Sequence, residues 1–373
     1  MIPVADAPSP PAAPAADGAR SRALDDLRTA LTALVIVHHA AITFGADGNW
    51  FFRDPAARFS LPLTIVTAVN QSFFMGLFFG VAGHFSGLSL ARKGARRFLA
   101  DRALRLGVPA LFFGWVLHPI VVWLQARYAQ RPFAWPGWRD FNPGPLWFTL
   151  ALLLFCVGLV VVRRFRPAGL PSTAPLGVAQ APRLVVAMAA LTIATRCVFP
   201  LGVNVLWFQV GYFPQYVLLF AVGVASGGTD FLARLPRHWL APSLLVGATA
   251  MGTGLAVFLV GAGGDGALMR GGTQWQAVTW AVLECVQCVA FCVAALLLAR
   301  EHAGRSRLGG ELSRDAFGAY VLHAPLLVAF GMWASHLPLG EGPKFLLTVA
   351  LAIPASFLAG AVLRRLPLAR EIF

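Results

Sequence analysis

The sequence predicts an all-α, polytopic integral membrane protein with about ten transmembrane helices and both termini in the cytoplasm. Of the 373 residues, 58% are hydrophobic and only 12% are charged, about half the charged share of a typical soluble protein. The mean hydropathy of +0.69 agrees with this composition. So little polar surface excludes a cytosolic globular enzyme, a disordered protein and a disulfide-stapled secreted domain.

Ten apolar segments follow a Pro- and Ala-rich N-terminal stretch. Each is close to the ~20 residues that a helix needs to cross a bilayer. Segments five and six are short and weakly separated around Pro200, which leaves the count open by one or two. The segments lie at about 27–45, 61–90, 104–126, 145–163, 184–201, 207–227, 239–262, 274–299, 314–336 and 345–363.

The apolar segments also define the domain organisation. We expect residues 1–23 to form a disordered, Pro/Ala-rich cytoplasmic tail, because they contain no apolar run that resembles a signal peptide. Residues 24–366 form the transmembrane domain, and residues 367–373 form a cytoplasmic C-terminal tail.

The loop charges predict the orientation. With a cytoplasmic N-terminus, 22 Lys and Arg residues fall on the inside and 7 on the outside, as the positive-inside rule requires for an even number of helices. The net charge of +14 therefore indicates contact with membrane lipids, and we expect no nucleic-acid partner. The five cysteines lie in apolar stretches with no His or carboxylate ligand set around them, so we expect no metal site.

The first segment carries ionisable residues where membrane helices rarely have them. Arg28 and His39 are eleven residues apart, which places both on one helical face about 16 Å apart. We expect Arg28 at the cytoplasmic boundary and His39 near the membrane middle, with His38 out of register. A neutral His39 hydrogen-bonded to a neighbouring helix is the alternative interpretation.

Other polar groups fall at a similar depth. Tyr320 and His323 share one face of segment nine, His84 lies in segment two, and Glu284 lies near the middle of segment eight. Together with His39 they predict a polar cavity open to the cytoplasmic half of the membrane. Separate interhelical hydrogen bonds are the alternative.

A run of basic residues precedes segment three, in what we expect to be a short cytoplasmic loop. Arg102 and Arg105 are three residues apart, on one helical face at the membrane edge. Guanidinium groups bind phosphates with paired hydrogen bonds, so these two residues suit a polyanion. The cations at positions 92–97 instead suit a positive-inside signal with lipid headgroup contact.

These features together resemble the acyltransferase-3 family of integral membrane acyltransferases, in particular its glucan biosynthesis protein C-like branch. The resemblance extends from about Leu24 to Arg365 and depends on the order, spacing and membrane side of the motifs. It is carried by the stretches LDDLRTALTALVIVHHAAITFG, FFMGLFFGVAGHFSGLSLARKGARRFLADRALRLGVP, GPLWFTLALLLF, YFPQYVLLFAVGV and AFGAYVLHAPLL.

The resemblance implies a ten-helix O-acyltransferase in the bacterial inner membrane. Such an enzyme takes an acyl group from cytoplasmic acyl-CoA, either acetyl-CoA or succinyl-CoA. The acceptor is a hydroxyl group of a cell-envelope carbohydrate, a lipid or a small product, as in glucan biosynthesis. The family motifs Arg-x10-His, Arg-x-x-Arg and Tyr-x-x-His fall on Arg28 and His39, Arg102 and Arg105, and Tyr320 and His323.

One motif departs from the family pattern. The family commonly has Ser-Gly and an aromatic residue in its second helix, where this chain has Ala82, Gly83 and His84. A hydroxyl group is lost and an imidazole is gained, which leaves the acceptor preference open.

Acyl transfer to an alcohol needs a base, a stabilised oxyanion and a held leaving group. We expect His39 to be the general base, with an acyl-histidine intermediate as the alternative. Tyr320 or His323 would donate a hydrogen bond to the oxyanion. The CoA phosphates would be held at the cytoplasmic mouth by Arg28, Arg102 and Arg105.

A transporter or flippase without acyl-transfer chemistry is the competing interpretation, because intramembrane His and Glu also suit a proton-coupled carrier. The absence of repeat symmetry between the two halves of the sequence argues against it. The sequence does not decide the acceptor, the oligomeric state, or acetyl against succinyl. Arg196 is a cationic partner for a succinyl carboxylate, although it falls in the outer half of its segment.

Overall fold

The computed structural model describes residues 14–165, 180–303 and 309–367, together with residues 369 and 372. Within these ranges the chain forms helices and connecting loops, and the β-structure consists of one isolated bridge between Val205 and Phe208. The predicted all-α fold is confirmed.

Ten long helices form the described part of the chain, one for each predicted segment. Eight of them are long and apolar enough to cross a membrane, which confirms a multi-pass membrane protein. The others are α1, whose polar residues lower its hydropathy, and α6, which has 14 residues. The bounds are α1 Pro14–Thr43, α2 Leu61–Lys93, α3 Ala95–Tyr128, α4 Trp147–Phe165, α5 Ala181–Val198, α6 Phe213–Ser226, α7 Leu240–Ala256, α8 Trp275–His302, α9 Gly309–Ser335 and α10 Glu341–Arg365.

Helix α1 begins earlier than the first predicted apolar segment. Residues 14–23 belong to the helix, and Ala23 is already buried. The Ala-rich composition explains the difference, because alanine is the best helix former and extends the helix beyond its apolar part. Residues 1–13 lie outside the described residues, as do the predicted inside cations Arg166, Arg305, Arg307 and Arg370.

The predicted basic loop before segment three is also corrected. Helix α2 continues to Lys93 and α3 begins at Ala95, so the connection is Gly94 alone, with a φ of +73° that favours glycine. An ion pair between Lys93 and Asp101 spans the junction. Arg102 and Arg105 are therefore fixed on a helix rather than in a loop.

Helix α3 widens twice into π-helical turns, at Ala103–Gly107 and Phe113–Leu117. Each wide turn ends just before a proline, Pro109 or Pro119. Proline lacks an N–H group and clashes with the preceding turn, and a wider turn relieves both problems without breaking the helix.

Small residues allow α2 and α6 to pack closely. A Cβ atom on Gly83 would lie 2.3 Å from the Phe220 carbonyl oxygen, and one on Gly223 would lie 1.9 Å from that of Gly80. Such close backbone approach is typical of helix pairs in membranes. It explains why Gly83 keeps its place in the altered motif.

Helix α1 lies at the centre of the bundle and contacts α2, α8, α9 and α10. Its polar residues consequently face protein rather than lipid, which lowers the cost of placing them in a membrane.

The loop after α1, residues 44–60, folds back onto the bundle. Gly45 has a φ of +119°, and a Cβ atom there would lie 2.2 Å from the Arg58 carbonyl oxygen. A buried ion pair joins Asp54 of this loop to Lys344 of α10, with 2.9 Å between Oδ2 and Nζ. The loop is thereby held against the helices that surround α1.

Candidate active site

A cavity of about 950 Å³ opens at one end of the bundle. Its walls come from the second half of α1, the first half of α2, α6, α8 and the loops at 44–60 and 199–212. We call this the cavity end, and we call the opposite end, where α1 carries Arg28 and Gly94 joins α2 to α3, the basic end. We expected a cavity open at the basic end, whereas this cavity lies at the other end, where the loops at 44–60 and 199–212 line it.

His39 lines this cavity and is half-buried. Its imidazole stacks on the indole of Trp50, with 3.7 Å between ring centroids and 14° between planes. His38 also lines the cavity but stacks on Phe74 of α2, at 5.2 Å. The two neighbouring histidines therefore have different surroundings, and His39 has the one next to the loop.

Helix α9 brings His323 to the same place. Its ring is fully buried, 5.7 Å from the ring of His39 and nearly parallel to it. Nδ1 of His323 lies 2.6 Å from the Tyr320 carbonyl oxygen. Because a carbonyl only accepts hydrogen bonds, Nδ1 carries the proton and Nε2 presents a lone pair. A neutral His323 is thus a hydrogen-bond acceptor on the side away from its own helix.

The hydroxyl group of Tyr320 has a different partner from the one we expected. It donates a hydrogen bond to the carbonyl oxygen of Pro145, just before α4. Its ring lies 5.8 Å from that of His323. The Tyr320 hydroxyl proton is used in this hydrogen bond, which joins α9 to the residues just before α4. Tyr320 therefore positions His323 and is not a free hydrogen-bond donor.

Trp50 is the site residue that sequence reasoning missed. It stacks on His39, and its ring lies 5.9 Å from the ring of His323. Its Nε1 is buried, and no described residue accepts a hydrogen bond from it. An aromatic run in a loop between membrane segments is typical of an interfacial anchor, so the sequence contains no signal for this position.

The three arginines lie at the basic end. Arg28 forms a 3.6 Å ion pair with Asp25 and is close enough to Arg102 for electrostatic interaction. The Arg102 guanidinium lies over the ring of Phe98, and its Nε is buried without a described partner. Arg105 is exposed beside it. The fold therefore brings Arg28, Arg102 and Arg105 together and keeps them about 16 Å along α1 from His39.

A family model described as an acyltransferase domain, Acyl_transf_3, matches residues 21–365, nearly the whole chain. The chain belongs to the acyltransferase-3 family. No protein with a curated description matches it. Because the match includes the histidine cavity and the arginines at the basic end, both belong to the acyltransferase domain.

Two other predicted polar residues of this acyltransferase do not join His39. His84 contacts Ser226 of α6, with 3.0 Å between Nδ1 and Oγ, beside a small and mainly apolar cavity of about 140 Å³. Glu284 forms a buried ion pair with Arg196 of α5, at 2.5 Å between Oε2 and Nη2. The predicted cluster is therefore divided: His84 lies beside a second cavity, whereas Glu284 lines the same cavity as His39 without contacting the stack of His39, His323 and Trp50.

Proposed function

We propose that this acyltransferase moves an acyl group from cytoplasmic acyl-CoA to a hydroxyl group of a cell-envelope carbohydrate or lipid. The donor is acetyl-CoA or succinyl-CoA, and the enzyme works in the bacterial inner membrane with its basic end in the cytoplasm. O-acylation of a glucan, as the glucan biosynthesis protein C-like pattern suggests, is one example of this reaction.

The placement of one helix carries the proposal. Helix α1 presents His39 to a cavity near its C-terminal end, while its middle presents Arg28 beside Arg102. The distance of about 16 Å along the helix suits a donor whose phosphates stay at the surface while its thioester reaches inward. Guanidinium groups would bind the phosphates of CoA, which matches the arginine-rich end.

His39 would act as the general base. The imidazole removes the proton from the acceptor hydroxyl as its oxygen attacks the thioester carbonyl carbon. The resulting tetrahedral intermediate collapses, the carbon–sulfur bond breaks, and the protonated imidazole returns the proton to the CoA thiolate. Neutral imidazole accepts and releases a proton readily near pH 7, which suits both steps.

The oxyanion needs a hydrogen-bond donor next to His39. The Tyr320 hydroxyl is already bonded to Pro145, and Nδ1 of His323 to its own helix. The indole N–H of Trp50 is buried beside His39 without a described partner. We therefore assign the oxyanion contact to Trp50, with His323 and Tyr320 as positioning residues.

The experiment compares His39→Gln with His38→Gln. Both histidines line the cavity, but only His39 stacks on Trp50. Loss of a general base lowers turnover by about 10²–10⁴-fold, so His39→Gln should lose nearly all release of CoA thiol from acetyl-CoA or succinyl-CoA. His38→Gln should keep most of it.

Purified protein in detergent, supplied with glycans and lipids extracted from the envelopes of deletion cells as acceptors, provides the assay, and thermal unfolding checks that both variants fold. Mass spectrometry of envelope glycans and lipids from wild-type and deletion cells identifies the acyl group and the acceptor. Folded His39→Gln with wild-type thiol release would contradict the base assignment. The transporter interpretation would be favoured if the purified wild-type protein consumes no thioester and the deletion cells lose no acylated product.

A further inference from the structure

The buried pair of Arg196 and Glu284 has no part in the mechanism above. Both side chains are almost fully buried, with 2% and 3% of their surface exposed. The Arg196 Nε donates a hydrogen bond to the Gly211 carbonyl oxygen, and its guanidinium lies 5.1 Å from the centre of the Tyr212 ring. Burying two charges in a membrane protein is costly, which makes such a pair a candidate functional site.

Glu284 belongs to the wall of the same cavity that His39 lines. Tyr212, Tyr216 and Gln71 are further members of the lining, and the Gln71 amide donates a hydrogen bond to the Tyr216 hydroxyl at 3.2 Å. This wall therefore offers a carboxylate, an amide and two phenol groups to a ligand. We call these four residues the polar wall.

The charges around the cavity are balanced. Arg196, which lies outside the cavity lining, compensates the charge of Glu284. The other acidic and basic lining residues that the structure describes are Asp47 and Arg270, one of each sign and both exposed. An anionic ligand would thus find no unpaired cation deep in the cavity, and a neutral ligand meets no repulsion.

The cavity also combines polar groups with aromatic surfaces. Trp147, Trp207 and Trp280 contribute indole rings to the lining. Carbohydrates present hydroxyl groups at the edges of their rings and C–H groups on the faces, so this mixture suits them. The volume of about 950 Å³ is at the upper end of ligand pockets, which leaves room for more than one sugar unit.

We propose that the polar wall is the acceptor-binding site, and that Glu284, held by Arg196, binds the hydroxyl groups of a neutral oligosaccharide. This inference deepens the proposed function and rests on it, because a bound sugar would present one further hydroxyl group to His39. Arg196 is a positioning residue: it fixes the carboxylate and supplies the compensating charge.

The test measures sugar binding without turnover. Saturation-transfer NMR on the full chain in lipid nanodiscs uses maltotriose and cellotriose as neutral probes and trigalacturonate as the anionic probe. We expect the wild type to bind a neutral trisaccharide and not the anionic one. Glu284→Gln should weaken that binding by about 10- to 100-fold, as expected for losing a hydrogen bond to a charged group.

Two further variants separate binding from folding. Gln287→Leu, on the same helix and equally buried but outside the cavity lining, is the matched control and should bind normally. The double variant Arg196→Met/Glu284→Met removes both charges, which buried pairs often tolerate, and should fold without binding sugar. His39→Gln should still bind sugar, because the base is separate from the wall.

The inference is overturned if the wild type binds neither neutral probe, prefers trigalacturonate, or binds equally well after Glu284→Gln or the double substitution. Thiol release from acyl-CoA distinguishes this failure from failure of the proposed function. If thiol release is normal and depends on His39 but no sugar binds, only the acceptor-site proposal fails. If sugar binds but no thiol is released, only the proposed acyltransferase mechanism fails.

Discussion

A single indole decides how His39 is presented to the cavity. Trp50 stacks on His39 at 3.7 Å between centroids, so the imidazole cannot rotate freely about its side-chain bonds. The same ring offers its buried N–H group beside the base. In the proposed mechanism, one residue would thus supply both the orientation of the base and the electrostatic stabilisation of the oxyanion.

Trp50→Phe should separate these two roles. Phenylalanine keeps a ring on His39 but removes the N–H group, and losing one oxyanion donor lowers kcat by about 10²–10³-fold. We expect that loss with little change in KM for acyl-CoA. Trp115→Phe, which contacts Phe141 and lies outside the cavity lining, is the control and should keep its kcat. If Trp50→Phe has the turnover of the wild type, the indole N–H group has no catalytic role and Trp50 only packs against His39.

The arginines at the basic end should affect the donor and not the chemistry. Arg102→Ala should raise the KM for acyl-CoA about 10-fold or more, because charge-assisted hydrogen bonds to phosphate are lost. Arg97→Ala removes an exposed cation of the same helix and should leave that KM nearly unchanged. Equal KM values for both variants would indicate a general surface charge instead of a phosphate site.

At the residue scale, spacing predicted the juxtaposition of some groups and missed others. The eleven-residue interval separates Arg28 from His39 by about 16 Å along α1, since a helix has a fixed rise and rotation. It could not pair Arg196 with Glu284, because the rotation of two distant helices against each other leaves no trace in sequence spacing. Trp50 was missed for a similar reason, as its loop returns to the bundle through contacts distant in sequence.

Among the structural elements, the returning loop at 44–60 is the one on which the site depends. The ion pair of Asp54 with Lys344, which also donates a hydrogen bond to the Ser335 carbonyl oxygen at 3.1 Å, holds the loop that carries Trp50. Both charged groups are buried. Removing one partner of such a pair typically costs 3–5 kcal/mol.

Asp54→Asn should therefore lower the unfolding temperature and release the loop. We expect faster trypsin cleavage after the exposed Arg53 and Arg58 and lower turnover. The double variant Asp54→Asn/Lys344→Met removes the unpaired ammonium group, so it should regain more stability than activity. A single variant with wild-type trypsin resistance and turnover would show that the loop is held by other contacts.

The helices themselves were largely predictable. Each of the ten apolar segments became one helix, because a bilayer admits few alternatives to a helix for an apolar run. The errors fell at polar ends: the start of α1 and the start of α3 were placed too late. Hydropathy detects the part of a helix inside the membrane and is blind to a helix that continues into charged sequence.

For the whole molecule, the remaining prediction is orientation. Cysteine labelling of intact cells tests it in a Cys197→Ser background, because the other cysteines are buried. Arg139→Cys, exposed in the loop between α3 and α4, should react with a membrane-impermeant maleimide. Arg97→Cys should react only after permeabilisation. The reverse result would place the basic end outside and contradict the proposed donor side.

Opposite placement of the arginine cluster and the cavity has a metabolic consequence. With the proposed acyl-CoA donor and the predicted orientation, the nucleotide part of the donor would never leave the cell, and only the acyl group would be passed outward. Acylation of envelope molecules would then need neither an exported activated acyl donor nor an energy source outside the cytoplasm. The extent of acylation at the cell surface would follow the ratio of acylated to free coenzyme A in the cytoplasm. Surface acylation would therefore vary with the carbon metabolism of the cell.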